Sequence, residues 1–284
     1  MIRRFRWARL RVPVAWIMAL LYFLPIYWMA KTSLQPEGQI RVTEINLGLS
    51  QVTFVHYLKV LSDSMFLRWF LNSLIYSVST MIIAVLVSVL AAYSLARQRF
   101  WLAQALGRPF LVAYIVPGVM IIVPLFVMVA TLHWQNTYQS LIVTYTSFSV
   151  PFCTWLLRAY FRSLPAELED AALVDGCSRL GALFRIVFPL AAPGVVTAGL
   201  FCFVLAWNEF LFALIFLFSN EMKTLSLALQ SVLATQLAGQ AVTSYYDFGD
   251  MFAMTVLTAL PIVVVFLLLQ SWLIRGLAAG AVKG

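Results

Sequence analysis

The sequence has few charged residues for its length. Only 11% of the 284 residues are charged and 63% are hydrophobic, whereas soluble domains carry about a quarter charged residues. Too few polar side chains remain to cover a globule, which excludes a soluble domain. The 19 basic residues outnumber the 11 acidic ones, but no basic stripe interleaved with aromatics suggests a nucleic-acid partner. The composition therefore indicates an integral membrane protein.

Catalytic and metal-binding motifs are also missing. The sequence has no H-E-x-x-H or C-x-x-C pattern, and its two histidines, His56 and His133, lie in different segments. It has no G-x-x-x-x-G-K-[ST] loop to hold nucleotide phosphates, so the chain cannot hydrolyse ATP alone. The three cysteines, Cys153, Cys177 and Cys202, are expected to be inert buried thiols. We predict that the chain is not an enzyme and binds no metal or cofactor itself.

Six charge-poor runs are long enough to cross a membrane, since a helix needs roughly 20 residues to span ~30 Å of hydrocarbon. These runs are residues 12–30, 69–96, 109–132, 138–157, 186–218 and 251–274. The sequence thus predicts an all-α integral membrane protein with six transmembrane helices. Residues 1–11 are predicted to be a basic tail and residues 12–284 a single transmembrane domain.

The distribution of Lys and Arg predicts the orientation of these spans. Most of the 19 basic residues lie in the two terminal tails and in the loops that follow the second and fourth spans. Because basic loops stay on the cytoplasmic side, both termini are predicted to be cytoplasmic. The loop of residues 158–185 then faces the cytoplasm as well.

The loop 158–185 is predicted to contain a short helix over residues 165–176. Pro165 suits the first turn of a helix, and Glu167 and Glu169 favour its positive end. Gly176 can adopt the left-handed conformation that stops a helix. The residue pattern therefore predicts a self-contained helix at the cytoplasmic surface.

Small and acidic residues distinguish this helix from an ordinary loop. Ala171 and Ala172 give it a slim side, and Asp170 and Asp175 add to an acidic rim. A slim helix with an acidic rim can enter a groove on another protein. From these residues alone, a solvated loop helix is the ordinary interpretation.

The segment of residues 169–176, followed by Ile186 to Pro189 and by Pro193, resembles the E-A-A-x-x-D-G-x(9)-I-x-L-P loop of ABC importer permeases. Asp170 replaces the usual Glu of that motif, and Phe188 replaces its usual Leu. The resemblance implies a coupling helix that docks on a separate ATPase. The coupling residues it implies are Glu167, Glu169, Asp170, Ala171, Ala172, Asp175, Gly176 and Pro189.

Two further segments resemble permeases of maltose-type carbohydrate importers, in particular the shorter permease of each pair. They are residues 54–57 with residues 69–73, and the glycine-rich end, residues 275–284. The resemblance implies the MetI-like fold of type I ABC importer permeases. It also implies that Gly276, Gly280 and Lys283 lie near the ATPase.

The same resemblance implies a function and a set of partners. The chain is expected to be one subunit of an ATP-driven importer of a sugar, oligosaccharide or polyol-like solute, in the cytoplasmic membrane of a bacterium or archaeon. The implied partners are a paralogous second permease, a homodimeric ATPase that binds ATP and Mg, an extracytoplasmic solute-binding protein and membrane lipid.

The fifth span contains an ionisable residue, Glu209, next to Asn208. An intramembrane carboxylate is a functional candidate by default, so this pair could line the translocation path. It could equally be interfacial, paired to the backbone or to a neighbouring subunit. A proton-coupled secondary transporter using Glu209 is an alternative function. Asp247 and Asp250, before the sixth span, are expected to be solvated cap residues.

Overall fold

The computed structural model describes residues 2–40, 48, 51–97, 117–238 and 245–281, and within these the side chains outside 2–11 and 273–281. The described residues are helical and contain no strand. The helices are α1 (Ile2–Ser33), α2 (Glu37–Ile40), α3 (Val55–Ser62), α4 (Ser64–Arg97), α5 (Ile122–Thr131), α6 (Tyr138–Ser163), α7 (Glu167–Val174), α8 (Arg179–Ala182), α9 (Phe188–Leu190), α10 (Ala192–Asn208), α11 (Leu211–Phe216), α12 (Leu225–Leu237) and α13 (Phe248–Ala281). Two 3₁₀ turns, Gly118–Ile121 and Asn220–Met222, and a π-helical turn, Leu183–Val187, complete the set.

Four of the described helices are long and apolar enough to cross a membrane. These segments are Val12–Ser33, Ser64–Arg97, Tyr138–Ser163 and Phe248–Trp272. They coincide with the first, second, fourth and sixth predicted spans. Part of the third predicted span, residues 109–116, lies outside the described residues; the rest forms a 3₁₀ turn and α5.

The fifth predicted span, residues 186–218, differs from one straight helix. The segment Arg179–Leu190 meets α10 at an angle of 82°, and Pro193 stands in the first turn of α10, where its missing N–H removes no helical hydrogen bond. The helix then ends at Glu209, whose backbone is extended, and α11 begins at Leu211. The span is thus bent at one end and interrupted at the other.

The described residues fall into two compact units, one from residues 1–67 and 229–260 and one from residues 68–228 and 261–284. In the second unit α6 packs along α10. A Cβ at Gly194 would lie 2.5 Å from the Tyr160 ring, so only glycine allows this approach.

Two of the three cysteines lie in the same contact between α6 and α10. Cys153 and Cys202 are fully buried there, with their sulfurs 3.1 Å apart. Cys177 is partly exposed, contrary to the expectation of a buried thiol.

A network of charged side chains connects α3 to the start of α13 in the first unit. Asp250 has no exposed surface and contacts His56 Nδ1 at 2.7 Å and Lys59 Nζ at 2.5 Å. The other nitrogen of the His56 ring lies 3.0 Å from the Gln35 carbonyl. The expectation of solvated caps is therefore wrong for Asp250, whereas Asp247 keeps a side chain that is 44% exposed.

Lys59 is charged in this network at neutral pH. Burial lowers the pKa of Lys59, but the hydrogen bond and the negative charge of Asp250, helped by Asp247, outweigh it and leave that pKa above its usual value. A lysine whose pKa is raised in the folded state stabilises the fold below its ordinary pKa. This contribution disappears only at strongly alkaline pH.

We expect Asp250→Asn to lower the stability of the purified chain in detergent by about 2 kcal/mol, because hydrogen bonds to charged groups contribute roughly 1.5–3 kcal/mol. Asp247→Asn is the matched control. Its carboxylate is half exposed and 3.4 Å from Lys59, so the loss should stay below about 1 kcal/mol. Thermal unfolding of the two variants measures the difference, and equal losses would contradict the importance of burial.

Candidate functional site

The predicted helix in the loop 158–185 is present as α7, which we call the loop helix. It begins after Ala166 and ends at Val174, a shorter span than residues 165–176. Gly176 has φ +88°, and its N–H donates to the Leu173 carbonyl at 3.1 Å. This left-handed residue closes the helix, as the sequence predicts.

One face of the loop helix is exposed and partly apolar. Leu168, Ala171 and Val174 follow one another at intervals of three residues, so they share a face, and Val174 is 87% exposed. Asp170 and Asp175 are exposed beside this stripe. The loop helix therefore presents apolar side chains and carboxylates together on its exposed surface.

The opposite face of the loop helix is turned toward its own chain. Glu169 and Ala172 are buried there, and Glu169 accepts a hydrogen bond from Tyr93. The Arg97 Nε atom lies 2.9 Å from the Glu169 carboxylate. Glu169, which the sequence groups with the exposed coupling residues, thus faces inward, while Asp170 faces outward.

The other predicted partner-contact residues are spread over three described helices and the end of the chain. Glu167 is exposed on the loop helix, and Pro189 is exposed in α9 within the segment that meets α10 at 82°. Gly276 and Gly280 lie in the last turns of α13, which continues to Ala281. Lys283 lies outside the described residues, so the tail contact stays a prediction.

Glu209 acts as a cap at the interruption between α10 and α11. Its Oε1 accepts from the N–H groups of Leu211 at 2.7 Å and Phe212 at 3.0 Å. Its Oε2 accepts from the Tyr145 hydroxyl at 2.7 Å and from Ala213 N–H at 3.4 Å. These donors stabilise the carboxylate and orient it toward the helix start, which favours the interfacial interpretation of Glu209 over a proton carrier.

Asn208 does not share the environment of Glu209. Its side chain is exposed, and its amide donates to the Val204 carbonyl of the preceding turn at 2.9 Å. The two predicted path residues are thus adjacent in sequence but have different partners. Tyr145 donates a hydrogen bond to Glu209. The sequence gives no sign of this role, because Tyr145 lies 64 positions away on α6.

Comparison with known proteins gives consistent matches over most of the chain. The family model for the binding-protein-dependent transport system inner membrane component matches residues 84–279. The sulfoquinovosyl glycerol permease SmoH of Agrobacterium fabrum is 34% identical, covering 97% of this chain and 94% of that protein. The trehalose/maltose permease MalG of Thermococcus litoralis is 31% identical, covering 94% of each chain.

A solved structure matches the fold. It is the crystal structure of a bacterial ABC transporter that imports alginate, with a TM-score of 0.81 at 24% identity. The match covers 93% of this chain and 95% of that one. The chain therefore shares the fold of that transporter's chain.

We expect Glu209→Ala to lower the unfolding temperature of the purified chain in detergent. The substitution removes a cap, a loss of about 0.5–2 kcal/mol, and leaves the Tyr145 hydroxyl without its acceptor, which costs about 1–3 kcal/mol. Asn208→Ala is the control, because its exposed side chain donates to the Val204 carbonyl within its own helix. If both variants unfold at the same temperature, Glu209 is not a cap.

Proposed function

Because the chain belongs to the family of binding-protein-dependent transport system inner membrane components, we propose that it is the permease subunit of an ATP-driven importer that moves a carbohydrate across the bacterial cytoplasmic membrane. ABC transporter permeases are transport subunits rather than enzymes. Since the sequence has no phosphate-binding loop, ATP and Mg bind to a separate ATPase subunit.

The names of full-length relatives support a carbohydrate as the solute. SmoH is named for sulfoquinovosyl glycerol and MalG for trehalose and maltose, which all contain sugar units. Both relatives exceed 30% identity over more than nine tenths of the chain. A sugar, an oligosaccharide or a polyol-like solute therefore fits this permease.

The exposed face of the loop helix is the observation that carries the coupling role. Its stripe of Leu168, Ala171 and Val174 offers an apolar surface to a partner, and Asp170 and Asp175 offer charges to basic side chains at its edge. An ATPase dimer that closes on ATP would displace this helix. The displacement would pass through the loop into the spans. The spans would then switch between an inward-facing and an outward-facing state.

The first span supports a membrane setting and a further membrane partner. None of the apolar window in Val12–Ser33 is buried within the chain, and Trp16 and Leu20 are 67% and 65% exposed. A helix that is apolar and uncovered needs lipid or another membrane helix around it. A paralogous second permease and bilayer lipid are the two neighbours that fit, and a solute-binding protein completes the importer on the outer side.

We expect purification of the tagged chain from its native host in mild detergent to recover three partners in stoichiometric amounts. They are an ATPase with a phosphate-binding loop, a second permease and a solute-binding protein, identified by mass spectrometry. A chain recovered alone that still transports in vesicles with a proton gradient and no ATP would contradict the proposal.

We expect charge reversal on the exposed face, Asp170→Arg with Asp175→Arg, to reduce uptake by about tenfold, within the range of typical coupling free energies. Gly176→Pro should act similarly, because proline cannot adopt φ +88°. Uptake is measured in vesicles with the sugar retained by the co-purified binding protein, together with ATP hydrolysis.

The matched control for charge reversal is Glu221→Arg, an exposed acidic residue in a 3₁₀ turn far from the loop in sequence. This variant should transport normally. All the variants should insert into the membrane as the unmodified chain does. Normal uptake in the Asp170 and Asp175 variant would remove the loop helix from the mechanism.

A further inference from the structure

A buried ion pair joins the loop helix to the end of α4. The Arg97 Nε atom lies 2.9 Å from a Glu169 carboxylate oxygen, and the two side chains are only 16% and 10% exposed. The N–H bond is not aligned with this oxygen, so the contact is an ion pair rather than a directed hydrogen bond. The Tyr93 hydroxyl, one turn earlier on α4, donates to the other carboxylate oxygen.

The same junction gathers the segments on both sides of the loop helix. The Arg97 guanidinium donates to the Leu164 carbonyl at 3.3 Å, just before the loop helix. The Tyr93 hydroxyl lies 3.4 Å from the Arg179 carbonyl, just after it. The Tyr93 ring also packs edge-on against Phe161 of α6, with centroids 6.3 Å apart. Four segments therefore converge on two side chains of α4.

A polar cavity of about 160 Å³ borders the ion pair, and Asp170 and Arg179 line it as well. The pair is thus enclosed by protein on most sides and open to this cavity on one. A partly buried pair of opposite charges resists separation, since breaking it leaves a charge without a partner in a poorly solvated place. The connection between the loop helix and α4 should therefore be stiff.

The main chain does not make this connection. Residues 164–166 join the loop helix to α6, and its other end leads toward α8. Arg97, at the end of α4, lies far from Glu169 in sequence. Without the ion pair, Glu169 would keep the hydrogen bond from the Tyr93 hydroxyl as its described contact with α4.

We propose that Arg97 and Glu169 are positioning residues that make the loop helix and the end of α4 move as one body. The proposal rests on the coupling role of the loop helix proposed above. A displacement of the exposed face by the ATPase then reaches the second span directly, through Glu169 and Arg97, as well as through the main chain. Two neighbouring residues of the loop helix thus have different roles: Asp170 faces the partner, and Glu169 binds Arg97 of the second span.

The test is a double-mutant cycle in the complex that co-purifies with the chain, reconstituted in liposomes with Mg-ATP as the probe. The variants are Arg97→Met, Glu169→Gln and their combination. The measured quantity is the ratio of ATP hydrolysis with and without the co-purified binding protein. Each single variant should lower this ratio by about fivefold or more, and the double variant should lower it no further, because both remove the same interaction.

Two further variants separate positioning from general damage. Arg97→Lys keeps the charge and should keep most of the ratio of the unmodified chain. Arg162→Met removes an exposed arginine from the last turn of α6 and should leave the ratio unchanged. Losses that multiply in the double variant, or unchanged ratios in both single variants, would overturn the proposal. A complex without an ATPase would instead overturn the proposed function.

Spin-label distances test the one-body motion directly. Cys177 is partly exposed beside the loop helix, while Cys153 and Cys202 are fully buried and should not be labelled. One label is attached to Cys177 and the second to Leu90→Cys, an exposed position of α4. The distribution of distances between the two labels should stay the same with and without Mg-ATP and vanadate. In the Glu169→Gln variant, the distance distribution should shift or broaden when Mg-ATP and vanadate are added. A shift of equal size in the unmodified chain would overturn the proposal.

Discussion

Because charge is scarce in this apolar chain, a buried carboxylate must find its partners within the protein. Burying an ionised carboxylate without partners is too costly to persist, so each one has to be paired or hydrogen-bonded. Three carboxylates meet this requirement with different donors: Asp250 with Lys59 and His56, Glu169 with Arg97 and Tyr93, and Glu209 with Tyr145 and backbone N–H groups. In each case at least one donor comes from a segment distant in sequence. Satisfying these charges therefore decides where distant segments meet.

The same requirement explains why the loop helix has two unlike faces. Neighbouring residues on a helix point about 100° apart, so Glu169 and Asp170 cannot face the same surface. The inner carboxylate is matched by a basic side chain of its own chain, and the outer one is left exposed. A helix anchored on one face and open on the other can receive a partner without losing its position. This arrangement suits an element that must transmit displacement rather than absorb it.

Features that depend on local sequence could be predicted, and features that depend on distant partners could not. The stop at Gly176 follows from the need for a residue with positive φ, and the long spans follow from runs without charge. The inward orientation of Glu169 could not be predicted, because it depends on Arg97, in a separate span. Asp250 was expected to be solvated for the same reason: nothing in its neighbourhood indicates that His56 covers it.

The interruption at Glu209 has a consequence for the solvent around the fifth span. A helix end leaves up to four carbonyl groups without donors from the next turn, and at the end of α10 the Ser226 hydroxyl supplies one of them, to the Trp207 carbonyl. Hydrocarbon can supply none, so an interrupted backbone is tolerated at membrane depth only beside protein or water. The carbonyl groups at the break therefore have to be covered by protein or reached by water.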